Sequence, residues 1–203
     1  TRPIYFIPTT TLRHSTGAAD IAIWLRRIDQ ILAPRQDRKG IAHTVSYKRA
    51  KQILESSRFA PHMQVHTSEN GGAKLAVEKF KMSRPPAVLL SPPVTTGHDF
   101  VGALAEYNIV TKIPFPDSRD PVLAARQVFD AEYGMYITMQ VLVQSAGRST
   151  RSETDFSECF VIDDNFAWLI SKYKHLAPKW FLDAVIRTQT IPPAPPRLWK
   201  ERG

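Results

Sequence analysis

Short apolar runs alternate with longer stretches of helical spacing from one end of the chain to the other. Residues 4–7, Ile-Tyr-Phe-Ile, make the first strand-like run, closed by Pro8 and three threonines. Ile21, Ile23, Trp24, Leu25, Ile28, Ile31 and Leu32 then recur at the intervals of an amphipathic helix, which Asp20 would cap and Pro34 would stop. Arg26, Arg27 and the run 35–39 read as a solvated face and loop. A strand over 40–45, a helix over 48–57, a strand over 63–66, a helix over 73–81 and a strand over 87–91 follow. Residues 108–113 form another strand, ended by Pro114-Phe115-Pro116. Helices over 121–131 and 133–151, a strand over 158–162, and helices over 166–172 and 180–186 complete the pattern.

Strands that alternate with helices in this way predict an α/β fold: a mainly parallel β-sheet flanked by helices, joined by right-handed crossovers. Ligands of such sheets bind beyond the carboxyl ends of the strands. Ser46, Thr67 and the loop Thr95-Thr96-Gly97-His98-Asp99 follow strand ends, so they are expected on one rim. The proline-rich stretch 191–196 cannot enter a sheet interior, and it predicts an extended tail that either packs with Trp199 or frays. The division is therefore a domain over 1–190 and a tail over 191–203.

At 203 residues the chain can bury one ample core, and its 43% hydrophobic and 23% charged residues are ordinary for a globular protein. No apolar run reaches the length of about 18 residues that a membrane helix needs, and no signal-peptide pattern opens the chain, so no membrane association is expected. The single cysteine, Cys159, excludes a disulfide within the chain and a cysteine-ligated cluster, which fits a reducing, cytoplasmic setting. A net charge of +8 favours a polyanionic partner. The six histidines show no helical metal-ligand spacing, so no metal site is expected. Starting at Thr1, straight into a strand, the chain reads as a piece of something larger.

The most pointed chemistry lies in Gln144-Ser-Ala-Gly147-Arg148-Ser-Thr-Arg151, at the end of a helix whose earlier turns are apolar almost all round. On a helix, Gln144, Arg148 and Arg151 fall within about 60° of one another, presenting an amide and two guanidiniums to an anion. Gly147 costs a helix about 1 kcal/mol relative to alanine, which predicts a backbone or ligand close by. Pairing of the arginines with Glu153 or Asp155 is the structural alternative. The loop at Thr95, Thr96, Gly97 and Asp99 supplies hydroxyls, a free backbone and a carboxylate that suit phosphate and sugar, or else it is a plain turn capped by Asp99. Ser46 and Tyr47 place a hydroxyl and an aromatic ring at a strand end, suited to a nucleic-acid backbone or base, or to a helix cap beside a core tyrosine. Asp163-Asp164 after an apolar strand superficially suggests a magnesium site, but no Gly-x-x-x-x-Gly-Lys-Ser/Thr loop accompanies it, and it reads as a structural pair.

In order, His43-Thr44-Val45-Ser46-Tyr47, Thr95-Thr96-Gly97-His98-Asp99 and Gln144-x-x-Gly147-Arg148-x-x-Arg151 resemble the fourth, fifth and sixth motifs of superfamily 2 helicases of the DinG/XPD type. The opening Arg2 to Pro8, Lys112-Ile113-Pro114-Phe115-Pro116, Asp120-Pro121 and Pro178-Lys179-Trp180-Phe181 resemble the linking and closing segments of the second motor domain of that branch. The resemblance implies a RecA-like three-layer fold. It further implies Arg148 and Arg151 as arginine fingers with Gln144 positioning, Gly97, Asp99 and Gly147 toward ATP, and Ser46, Tyr47, Thr95 and Thr96 against single-stranded DNA. Thr67, on the same rim, joins the DNA set. ATP and Mg²⁺ would be held mainly by an upstream first RecA-like domain of the same protein, where an iron–sulfur cluster would also lie, and this chain alone would not hydrolyse ATP. The rival expectation is a non-catalytic basic module that binds single-stranded nucleic acid or a protein.

Overall fold

A computed structural model describes residues 3–65, 72–92, 105–147 and 157–196. Its strands are β1 (Ile4–Thr10), β2 (Lys39–His43), β3 (Met63–Val65), β4 (Ala87–Ser91), β5 (Tyr107–Val110), β6 (Glu158–Asp163) and β7 (Val185–Arg187). The α-helices are α1 (Ala18–Leu32), α2 (Tyr47–Ser56), α3 (Gly72–Met82), α4 (Pro121–Gln127), α5 (Tyr133–Gly147), α6 (Asn165–Tyr173) and α7 (Lys179–Asp183). The strands form one sheet in the order β3-β4-β2-β5-β6-β1-β7. Every pairing among them is parallel.

The period-two pattern of each central strand splits the core across the sheet. In β6, Phe160 and Ile162 pack with Trp24, Ile28 and Ile31 of α1 and Ile53 of α2, while Cys159 and Val161 pack on the opposite face with Met139 and Leu142 of α5, Phe166 of α6 and Phe181 of α7. A third cluster seats Ala76, Val77 and Phe80 of α3 on Ile41 and Leu89. This makes a three-layer arrangement, with α1 and α2 on one face and α3, α5, α6 and α7 on the other. Gly40 is required where it stands, because a Cβ there would run into the ring of Tyr107 on the neighbouring strand.

Several boundaries differ from the sequence reading for physical reasons. The first helix starts at Ala18 after Gly17, which makes no side-chain cap, so Asp20 lies inside the first turn, where its charge suits the helix dipole. The stretch 121–131 is not one helix: α4 stops at Gln127, and the Asp130 carboxylate and carbonyl accept the N–H groups of Glu132 and Tyr133 in the turn that leads into α5. Residues 111–113 leave the sheet because the Ile113 N–H donates to Asp163 and the Thr111 hydroxyl to the His43 carbonyl. The expected helix over 180–186 is shorter, and Val185–Arg187 instead adds an edge strand beside β1. Three half-exposed residues are too few to show a period.

Arg35 departs most from expectation. It is not solvated but 0% exposed, and its Nε and Nη2 grip Glu158 at 2.9 and 2.7 Å, with the guanidinium 4.5 Å from the Phe160 ring centroid. The tail helps to close this site: the carbonyls of Pro192 and Pro195 accept from Arg35 and Arg38, and Ile191 packs against the core. Trp199 lies outside the described residues.

Candidate functional site

The carboxyl ends of β2, β4 and β5 open into a cleft of about 470 Å³, bounded across from the sheet by Val141, Leu142 and Ser145 of α5. His43, Val45, Ser91, Val110 and Lys112 line it from the strand side. Val45 has φ of 64°, the left-handed region that a β-branched residue enters only when its surroundings hold it there. That turn swings the chain from β2 into α2 and sets Ser46 as the helix cap, its Oγ accepting from the Arg49 N–H at 3.3 Å. Tyr47 is 46% exposed, so it is a surface aromatic at the rim and not a core residue.

Beside this turn, Arg49 is buried, and among the described residues its guanidinium bonds neutral oxygens alone: the Arg13 carbonyl at 2.8 Å and Gln52 Oε1 at 2.8 Å. Its guanidinium carbon lies 5.7 Å from the Trp24 ring centroid, and Trp24 Nε1 donates to the Thr111 carbonyl at 2.8 Å. The indole therefore links Arg49 to the residue preceding Lys112. Burial holds the Lys112 ammonium below its ordinary pKa, and the positive charge of Arg49 pushes the same way, against the attraction of Asp163. Burial likewise holds Arg49 low.

Asp163 and Asp164 are structural. Asp163 accepts from the N–H groups of Leu12, Ile113 and Asn165 and from Asn165 Nδ2, and Asp164 accepts from Thr9 N–H at 2.7 Å. They pin the exits of β1 and β5 to that of β6. Burial raises the Asp163 pKa even though these hydrogen bonds pull it down. Among the described residues, no group of three or more histidine, cysteine, aspartate or glutamate side chains could hold a metal ion.

At the far end of α5 the helix is nearly buried, as its composition predicted, with Tyr136 and Gln144 as its exposed residues. Gln144 points to solvent on the turn that carries Ser145 of the cleft. No protein backbone crowds Gly147: among the described residues a Cβ there would meet no atom within 4 Å. The residues that follow Gly147, 148–156, lie outside the described residues. Arg148 and Arg151 lie outside the described residues, as do Thr67, Thr95, Thr96, Gly97 and Asp99. Of the expected site residues, Ser46 and Tyr47 stand at the carboxyl rim, and Gln144 and Gly147 at the end of α5.

Sequence reasoning passed over Lys112 and Arg49 as site residues and did not foresee the strained backbone of Val45. No sequence signal marks Lys112, which the pattern places inside a strand over 108–113 and the structure places two residues beyond β5.

An all-parallel seven-stranded sheet between two helical layers, with its cleft at the strand carboxyl ends, defines a RecA-like α/β domain. The helicase C-terminal domain family model matches residues 30–184, more than half of the sequence, and the chain belongs to that family. Solved helicase structures share its fold. It is similar to Xpd4 of S. tokodaii, with a TM-score of 0.60 and 13% identity over 93% of this chain and 39% of that one. It is also similar to an apo XPD structure, with a TM-score of 0.66 and 14% identity over 93% and 40%. Similarity extends to the C-terminal domain of the DEAD-box protein Dbp5, with a TM-score of 0.59 and 11% identity over 92% and 88%. The chain thus spans about two fifths of the XPD structures it matches. Comparison with curated protein sequences gives no significant match.

Proposed function

We propose that this chain is the second motor domain of an ATP-dependent DNA helicase: it reaches across a cleft to ATP held by a first RecA-like domain and grips single-stranded DNA at its carboxyl rim. The observation that carries the reading is the pairing, in a helicase C-terminal domain, of a strand-end cleft that holds Lys112 with the helix α5, which bounds that cleft and carries Gln144 and Gly147 in its last turn. ATP bound with Mg²⁺ on the first domain supplies a transferable γ-phosphoryl group, whose charge in the transition state calls for guanidinium donors. Arg148, directly after Gly147 in sequence, and Arg151, three residues further on, are assigned that role, with Gln144 positioning. Gly97 and Asp99 are assigned to the nucleotide, and Ser46, Tyr47, Thr67, Thr95 and Thr96 to the strand.

The work of this domain is then to alternate between two positions relative to its partner while the rim holds the DNA backbone. A preference for single strands fits the net charge of +8 and the exposed Tyr47 ring at the rim. The test is steady-state ATP hydrolysis, with and without single-stranded DNA, by this chain alone and by the protein extended through its first domain. DNA-stimulated turnover only in the extended protein is the expected result. Turnover by this chain alone, or none by either, would defeat the assignment, and the latter would favour a non-catalytic binding module.

A further inference from the structure

Lys112 stands two residues beyond β5, and its side chain lines the strand-end cleft with His43, Val45, Ser91 and Ser145. Among the described residues it makes no hydrogen bond and no ion pair. The carboxylates nearby are already committed. Asp117, on the lip of the cleft, is gripped by Arg119 Nε at 3.0 Å and Nη2 at 2.8 Å, which holds its pKa down at about 2. Asp163 spends its oxygens on three backbone N–H groups and the Asn165 amide. Arg49, tied to Thr111 through the Trp24 indole, adds a second positive charge, which among the described residues is bonded by neutral oxygens.

Partial burial without a counter-ion is costly for an ammonium, so a fold that keeps one in a cleft gains when an anion arrives. The serines beside it are neutral and commit their hydroxyl protons to main-chain carbonyls, Ser91 at 3.3 Å and Ser145 at 2.8 Å, so the ammonium is the group that an anion would meet here. The cleft lies at the carboxyl ends of parallel strands, where a linear polyanion can pass along the rim.

We propose that Lys112, reinforced by the charge of Arg49, seats one phosphodiester group of the single strand, an inference that rests on the reading of this domain as a DNA-gripping motor. Lys112 is a binding residue in this assignment and takes no part in phosphoryl transfer.

The experiment uses the full-length protein that carries this domain, without nucleotide, and two probes: labelled oligo(dT) and a base-free deoxyribose-phosphate strand of equal length. Affinity is measured against salt for wild type, Lys112→Met and Lys112→Arg. Loss of one phosphate contact should make the slope of log K against log salt shallower by about 0.7 in Lys112→Met. It should weaken binding roughly fivefold to tenfold at about 0.1 M salt, equally on both probes, with Lys112→Arg close to wild type. If wild type binds both probes and the folded Met variant keeps the same slope and affinity, Lys112 is not a phosphate contact. A loss on oligo(dT) that is absent on the base-free strand, or a loss of ATP binding with unchanged DNA binding, also overturns the proposal. Should Lys112→Met fail to fold, Lys112→Gln takes its place under the same criteria. Wild type that binds neither probe would sink the motor-domain reading itself, an outcome distinct from an indifferent Lys112 variant.

Discussion

The two rims of the sheet use the same side chains in opposite ways. At the amino-terminal rim, Arg35 is clasped by Glu158, Arg38 bonds Asp37 and the Pro195 carbonyl, and Lys39 Nζ donates to the carbonyls of Phe80, Lys81 and Ser83 at the end of α3. Each of these cations is fastened within the protein, the two arginines to carboxylates and the lysine to three main-chain carbonyls. At the carboxyl rim, Arg49 meets only neutral oxygens and Lys112 meets no partner among the described residues. The amino-rim cations fasten elements together, as Arg35 fastens α1, β6 and the tail. Lys112, in the cleft, has no such fastening among the described residues.

This contrast can be broken first at Arg35. Because the pair is fully buried, with side-chain exposures of 0% and 1%, Arg35→Met strands a carboxylate and should cost about 3–5 kcal/mol in urea unfolding. At a temperature where the variant is folded, its salt slope for single-stranded DNA should match wild type. An Arg35 variant with full stability would show that the amino rim is not structural.

Lys39→Met should cost less, about 1–2 kcal/mol, since it frees three carbonyls at the end of α3 that water can partly reclaim. Amide exchange should quicken in the last turn of α3 ahead of the rest of the domain.

Lys112→Met should leave thermal stability unchanged or raise it by up to about 1 kcal/mol, because it removes a desolvated charge and breaks no described contact. A clear loss of stability would place Lys112 with the structural cations and erase the contrast.

The smallest effect is one of pH. Lys112 is held below its ordinary pKa of 10.5 in the fold, so between its folded and unfolded pKa values the unfolded chain binds more protons. Wild-type stability should therefore rise relative to Lys112→Met as the pH climbs through the depressed value toward 10.5. Parallel pH profiles for the two proteins would deny the burial of this ammonium.

How far the sequence reveals such differences depends on the kind of signal involved. The alternation of strands and helices survives because the central strands bury both faces and the helices α1, α2, α3, α5, α6 and α7 cover them. Ile41, Leu89, Phe160 and Val161 therefore announce themselves by composition alone. Short or hinged elements do not. Val185–Arg187 has no period to read, and the break between α4 and α5 depends on one aspartate whose carboxylate and carbonyl accept the next N–H groups.

Charges are legible only through their partners. Nothing in Arg35-Gln-Asp-Arg-Lys39 tells a solvated run from one whose first arginine meets Glu158, 123 residues away. Lys112 is equally mute until the strand end and α5 are seen to enclose it. At the rim, Ser46 could be read as a cap from its place before a helix, whereas the left-handed turn at Val45 runs against residue preference and needs tertiary structure to reveal it.

The central claim, that this domain completes the active site of an ATP-driven motor, is tested most directly by DNA-stimulated ATP turnover of the full-length protein with Arg148→Ala and Arg151→Ala. The account predicts that each variant folds and still binds single-stranded DNA while turnover falls by about three orders of magnitude or more. Turnover at the wild-type level in both variants would contradict it.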